Sequence, residues 1–142
     1  MTALLHDIGK LKVPQEIIHK PGKLDAREFE IIKTHTTHGA QILSSIQGGL
    51  GVMVRDVCLY HHEWHNGHGY WGISATKLPD YIPIVSICDV YFALTNERPY
   101  KQAWTVQTTL DYIQNQAGTQ FSHELVGVFL PLIHDGGAAI LG

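Results

Sequence analysis

Six side chains of metal-binding type stand out in this chain: His6 and Asp7 in LLHDIGK, His35 in KTHTTHG, His61 and His62 in LYHHEWH, and Asp89 in SICDVYFAL. Adjacent His-Asp and His-His pairs are rare by chance, and each lies inside or beside an apolar helical run. Imidazole nitrogen with carboxylate oxygen suits Fe, Mn, Zn or Co, and an aspartate can bridge two ions. Two ions a few ångströms apart activate a water and stabilise both the attacking and the leaving oxygen of phosphoester hydrolysis. The residue types therefore point to a metal-centred hydrolytic site.

Such a site needs rigid elements to carry it, and the chain reads as helical throughout. Residues 1–10 read as the end of a helix that closes near Gly9. Pro14 can start a short helical turn through Ile18, and KPGK at 20–23 is a turn. Asp25 and Glu28 have capping-box spacing, followed by apolar Phe29, Ile32, Ala40 and Leu43. Gly48, Gly49 and Gly51 interrupt. Residues 52–63 then form a helix with Val54, Val57, Cys58 and His61 at helical spacing. Residues 64–78 break into a loop rich in glycine, histidine and aromatics.

Residues 79–95 are apolar nearly all round, which predicts a buried central helix, with Pro83 early enough to be tolerated. Helices at 105–116 and 122–134 follow, each with a Ser or Thr in position to cap it. The tail GGAAILG is expected to fray. No segment alternates with period two. The expected fold is all-α, a helical bundle with its metal centre between facing helices. A catalytic domain over 1–135 and a flexible tail over 136–142 are expected.

Composition narrows the class. A chain of 142 residues is one domain with room for a core, and 44% hydrophobic with 16% charged residues fits a soluble globular protein. The net charge of −3 and the absence of a basic block give no footprint for nucleic acid. No apolar run approaches a membrane span and no signal peptide opens the chain, so a cytoplasmic location is expected. Cys58 and Cys88 read as reduced core thiols and Trp104 as a core residue. His19, His123 and His134 read as solvated, and His38 as a surface residue rather than a support for the site. His65 and His68 fall in the glycine-rich loop.

The chain resembles the HD-GYP subgroup of the HD metal-dependent phosphohydrolases over about residues 3–132. The stretches that carry this are LLHDIGK, KPGKL, IIKTHTTHGAQIL, LYHHE, NGHGYWG, ALTNERPYKQAW and AGTQFSHELV, in that order. The resemblance implies an HD-domain fold and a phosphodiesterase that hydrolyses the bacterial second messenger cyclic di-GMP to pGpG, GMP or both. It implies a two-metal centre, Fe or Mn first and Zn, Ni or Co after them, with His6, Asp7, His35, His61, His62 and Asp89 as ligands. Asp7 would be the bridging carboxylate and the water between the ions the nucleophile.

Lys10 matches a lysine that contacts the scissile phosphate, where its charge is stabilising in the transition state. Arg98 and Lys101 match the pair that grips substrate phosphate, and Tyr70 lies in the signature loop beside the substrate. Implied partners are the cyclic dinucleotide and either a diguanylate cyclase or a response-regulator receiver domain, with a homodimer also open.

The sequence departs from the family pattern at several points. Gly69-Tyr70-Trp71 replaces Gly-Tyr-Pro, Trp64 follows HHE in place of a basic residue, and Phe92 stands where a second aspartate is usual. With only five residues ahead of His6, the leading helix of three-metal members is missing and a longer natural protein is expected. Two alternatives therefore stand beside the enzyme: a catalytically weak signalling module that binds nucleotide or a partner protein, and a phosphohydrolase acting on another nucleotide.

Overall fold

The computed structural model describes residues 5–97 and 102–136. Their regular secondary structure is helical, and the described part contains no strand, only an isolated bridge between Ala117 and Phe121. They divide into two compact units, Met1–His62 and Glu63–Gly142.

The first unit opens with a 3₁₀ helix, Ile8–Lys12, where the sequence predicted an α-helical end. Lys10 N–H donates to the Asp7 carbonyl at 2.9 Å and Val13 N–H to the Lys10 carbonyl at 3.1 Å, the i to i+3 spacing of a tight helix. Pro14 stops it, because the residue before a proline is pushed out of the helical region. Val13 is accordingly extended, at φ −91° and ψ 139°. Pro14 then leads into α1 (Gln15–Ile18) as predicted.

Helix α2 (Ala26–Lys33) begins in the expected capping box. Asp25 Oδ1 accepts from Glu28 N–H at 2.8 Å, and Glu28 Oε2 accepts from Asp25 N–H at 2.8 Å. The hydrogen bonds of Lys20 and Asp25 hold the Glu28 carboxyl below the usual range. The pattern predicted one helix to Leu43, yet α3 (His35–Ile42) is separate. Thr34 Oγ1 donates to the Ile31 carbonyl and His35 Nδ1 to the Ile32 carbonyl, both at 2.7 Å. Side-chain donors thus compete with the backbone ladder at the junction.

Helix α4 (Gly48–Tyr60) includes the glycines that were expected to interrupt. Gly51 is required there, since a Cβ would lie 2.0 Å from the Ile46 carbonyl oxygen. The helix ends at Tyr60, so His61 and His62 occupy the turn beyond it. Leu43, Val54 and Cys58 form the buried core of this unit, with Leu5, Ile8, Ala40 and Ile46 against them.

The second unit contains the predicted loop, with a 3₁₀ turn at Ala75–Lys77, and helices α5 (Tyr81–Thr95), α6 (Val106–Asn115) and α7 (His123–Gly136). Thr105 Oγ1 caps α6 through Thr108 N–H, and Ser122 Oγ accepts from Leu125 N–H at the start of α7. Ile87, Leu110, Ile113, Phe121, Val126 and Phe129 make its core. Each such side chain contributes roughly 1.5–3 kcal/mol on burial.

Helix α5 is not buried all round as predicted. It buries Ile82, Ser86 and Ile87 but leaves Ile84 and Phe92 exposed. Apolar composition alone does not tell a central helix from one with an open face. For the same reason Cys88 is exposed and Trp104 lies at the surface, packed edge-on to Tyr112, neither in a core.

Candidate metal centre

Three segments of the first unit bring their chemistry together, and glycine makes the approach possible. A Cβ on Gly9 would lie 1.9 Å from the His35 carbonyl oxygen and 2.4 Å from the Gly39 nitrogen. The 3₁₀ helix therefore runs backbone to backbone against α3. On its other side Gly39 faces α4, where a Cβ would meet Cys58 Sγ at 3.1 Å. This close approach brings half-buried Asp7 to the buried rings of His35 and His61.

One donor atom each from Asp7, His35, His61 and His62 lies within 4.8 Å of the others. His35 Nε2 is 3.3 Å and His61 Nε2 3.9 Å from Asp7 Oδ1, and the two Nε2 atoms are 3.4 Å apart. The His62 ring packs 4.0 Å from His61 and 5.2 Å from His35 between centroids. His6 Nε2 is 3.4 Å from Asp7 Oδ2, which Lys10 Nζ reaches at 2.5 Å.

The outer hydrogen bonds decide which face each ring presents. His61 Nδ1 meets the carbonyls of Val57 at 2.8 Å and Cys58 at 3.1 Å, and His35 Nδ1 that of Ile32 at 2.7 Å. A carbonyl only accepts, so each Nδ1 carries the proton and each neutral ring turns its Nε2 lone pair inward. Burial pulls the His35 imidazole down, and it pulls His61 down to about 4 with the help of neighbouring His6. Both rings are neutral near pH 7. Burial pushes the Asp7 carboxyl up, but His6 and Lys10 overcome it and hold the group well below the carboxylate range.

Two lone pairs and a carboxylate thus face one point, and Asp7 Oδ1 is buried with no hydrogen-bond partner. Buried polar atoms are rarely left so. A divalent cation among these donors satisfies all of them, and the nitrogen–oxygen donor set fits the cation that the sequence implied.

A family model described as the HD domain matches residues 1–125. The chain belongs to the HD domain family. A cyclic di-GMP phosphodiesterase of Pseudomonas aeruginosa is 42% identical over 105 residues, 73% of this chain and 25% of that protein. A cyclic di-GMP phosphodiesterase of Thermotoga maritima is 38% identical over 132 residues, 92% of this chain and 36% of that protein. A 3'3'-cGAMP-specific phosphodiesterase of Vibrio cholerae is 36% identical over 127 residues, 89% of this chain and 24% of that protein. The HD domain described here spans about a quarter to a third of the length of these relatives.

The predicted site residues divide accordingly. Asp7, His35, His61 and His62 converge, with His6 and Lys10 against Asp7. Asp89 is half-buried on α5 of the second unit, and Tyr70 half-buried in its loop. Arg98 and Lys101 lie outside the described residues. His38 is half-buried rather than superficial, with Nδ1 enclosed and unpartnered.

Sequence reasoning gave no role to Glu63. Its side chain is buried, and Oε1 accepts from Trp71 N–H at 2.7 Å while Oε2 accepts from Ile73 N–H at 2.8 Å. One carboxylate pins the backbone of the glycine-rich loop. The signal was available, since an acid directly after His-His and just before such a loop is a natural anchor for it.

Proposed function

We propose that this HD domain is a metal-dependent phosphodiesterase hydrolysing cyclic di-GMP to pGpG, GMP or both. The observation that carries the reading is the convergence of Asp7 Oδ1 with the inward Nε2 atoms of His35 and His61. Similarity to proteins named cyclic di-GMP phosphodiesterases supports the substrate. His6 and Asp89 complete the ligand set, for two ions, Fe or Mn before Zn, Ni or Co. Bound at this cluster, divalent ions supply an activated water and neutralise charge on the phosphodiester.

The chain's own groups do the rest. The carbonyls of Ile32, Val57 and Cys58 lock the two imidazoles so that no rotation competes with binding. Lys10, paired with Asp7, sits where it can shift toward a phosphoryl oxygen and stabilise its developing charge. Arg98 and Lys101 hold the phosphates and Tyr70 borders the nucleotide. A cytoplasmic site of action agrees with the lack, among the described residues, of any helix long and apolar enough to cross a membrane.

Metal-loaded protein incubated with cyclic di-GMP is expected to release pGpG or GMP on chromatographic analysis. Folded, metal-loaded protein that leaves the substrate intact overturns the proposal. The similarity to 3'3'-cGAMP-specific enzymes favours a second reading, hydrolysis of that mixed dinucleotide. Assaying both substrates side by side separates the two by the ratio of their kcat/KM values. A weak signalling module, docking a diguanylate cyclase or a receiver domain through exposed Trp71, predicts binding without turnover.

A further inference from the structure

The second unit carries a half-open pocket of about 240 Å³. Its wall contains buried Glu63 and Ser86, exposed Asp80 and Glu124 at its rim, and His65, Gln120 and Phe121. No lysine or arginine lines it, and none of the three carboxylates forms an ion pair among the described residues.

Two features of the wall leave capacity for a guest. Glu63 is only 2% exposed, and its partners are two neutral backbone N–H groups. Those two bonds offset part of its burial, and each carboxylate oxygen keeps a further acceptor site. Ser86 is only 3% exposed, yet its hydroxyl makes no hydrogen bond among the described residues. It borders the cavity from the middle of α5. A hydroxyl open to the pocket beside a buried acid with no Lys or Arg partner among the described residues suits a polar, cationic guest.

The guest is not a metal ion. The one cluster of His, Cys, Asp and Glu donors found close enough to chelate, among the described residues, is that of Asp7, His35, His61 and His62. Acids spread around a cavity suit instead a flat cation whose several N–H donors point outward together. The volume lies below the roughly 300–1,000 Å³ of sites for drug-sized ligands, so the guest is small.

We propose that this cavity binds a small guanidinium-bearing molecule. The guanidinium fork donates to Glu63 and to Asp80 or Glu124, and Ser86 accepts one further N–H. This site is independent of the phosphodiesterase reading and needs no metal.

The test is an NMR titration of the full chain with methylguanidinium chloride at constant ionic strength, with methylurea as the neutral isostere. Saturable shifts at the Ser86, Trp71 and Ile73 amides and at the Gln120 side chain are expected, with none from methylurea. The Asp80→Asn/Glu124→Gln variant leaves the loop anchor intact. It should bind about tenfold more weakly or worse, as expected for losing hydrogen bonds to a charged group. Ser86→Ala serves as a second variant that removes the hydroxyl without touching a charge, and it too should weaken binding. Equal response to methylurea, shifts that never saturate, or unchanged affinity in both variants overturns the proposal. If an arginine-containing peptide shifts these amides while methylguanidinium does not, the site reads a protein side chain and the small-molecule assignment fails.

Discussion

Among single residues, Asp7 has the most demanding position. It is the shared neighbour of His6, Lys10, His35 and His61, and one of its oxygens is buried without a hydrogen bond. Asp7→Asn keeps the shape and removes the charge. Outer-layer changes alone cost roughly 10–100-fold in metal affinity, so loss of this carboxylate should cost at least as much. Metal analysis of the purified variant checks it, with circular dichroism to show that the helices persist. Wild-type metal content in Asp7→Asn would displace the site from where it is placed here. The two cysteines offer a separate check on the burial pattern. Burial, with some help from Asp7, pushes the Cys58 thiol up to about 11, and its Sγ donates to the Leu5 carbonyl at 3.4 Å. Cys88 is exposed. Iodoacetamide at pH 8 should therefore label Cys88 first and leave Cys58 unmodified until the protein unfolds, as peptide mass spectrometry would reveal.

At the level of elements, the site depends on how closely three backbones approach. Gly9→Ala places a methyl 1.9 Å from the His35 carbonyl oxygen, so the 3₁₀ helix must move away from α3 and carry Asp7 with it. Overpacking of this kind costs about 1–3 kcal/mol or more, and here it should also lower metal content. Gly49→Ala is the contrasting change. Nothing lies within 4 Å of a Cβ there, and alanine in the first turn of α4 should stabilise by about 0.5–1 kcal/mol. Paired thermal melts with metal analysis separate the two effects, and a harmless Gly9→Ala would refute the close-approach argument. This difference between two glycines also shows where the sequence was legible. The capping box at Asp25 and Glu28, the cap at Thr105 and the start after Pro14 are local rules, and each was readable in the chain. The His and Asp cluster was readable too, because donor types survive in sequence even when their spacing is long. The 3₁₀ form of Ile8–Lys12, the break at Thr34 and the open face of α5 were not. Each depends on what packs against the segment or on side-chain bonds to particular carbonyls. Glu63 escaped notice for a similar reason, since its partners are backbone groups of Trp71 and Ile73, invisible in residue identities.

For the molecule as a whole, the decisive fact is that the convergent donors belong to one compact unit. Asp7, His35, His61 and His62 all fall within Met1–His62, whose core is Leu43, Val54 and Cys58, while Glu63–Gly142 has a core of its own around Ile87 and Phe121. The cluster brings together mutually facing lone pairs and a carboxylate oxygen with no hydrogen-bond partner, an arrangement that a bound cation stabilises. A ligand that binds only the folded state stabilises it by RT ln(1 + [L]/Kd), about 2.7 kcal/mol at a hundredfold excess over Kd. Manganese added to chelator-treated protein should therefore raise Tm, and EDTA should lower it again. The location of the gain is the sharper test. Hydrogen exchange should slow most at amides of α3 and of the His61–His62 turn, where the ligands hang, and least in α6 and α7. Protection that rose evenly through both units, or chiefly around α6 and α7, would mean that the metal acts somewhere other than the histidine cluster.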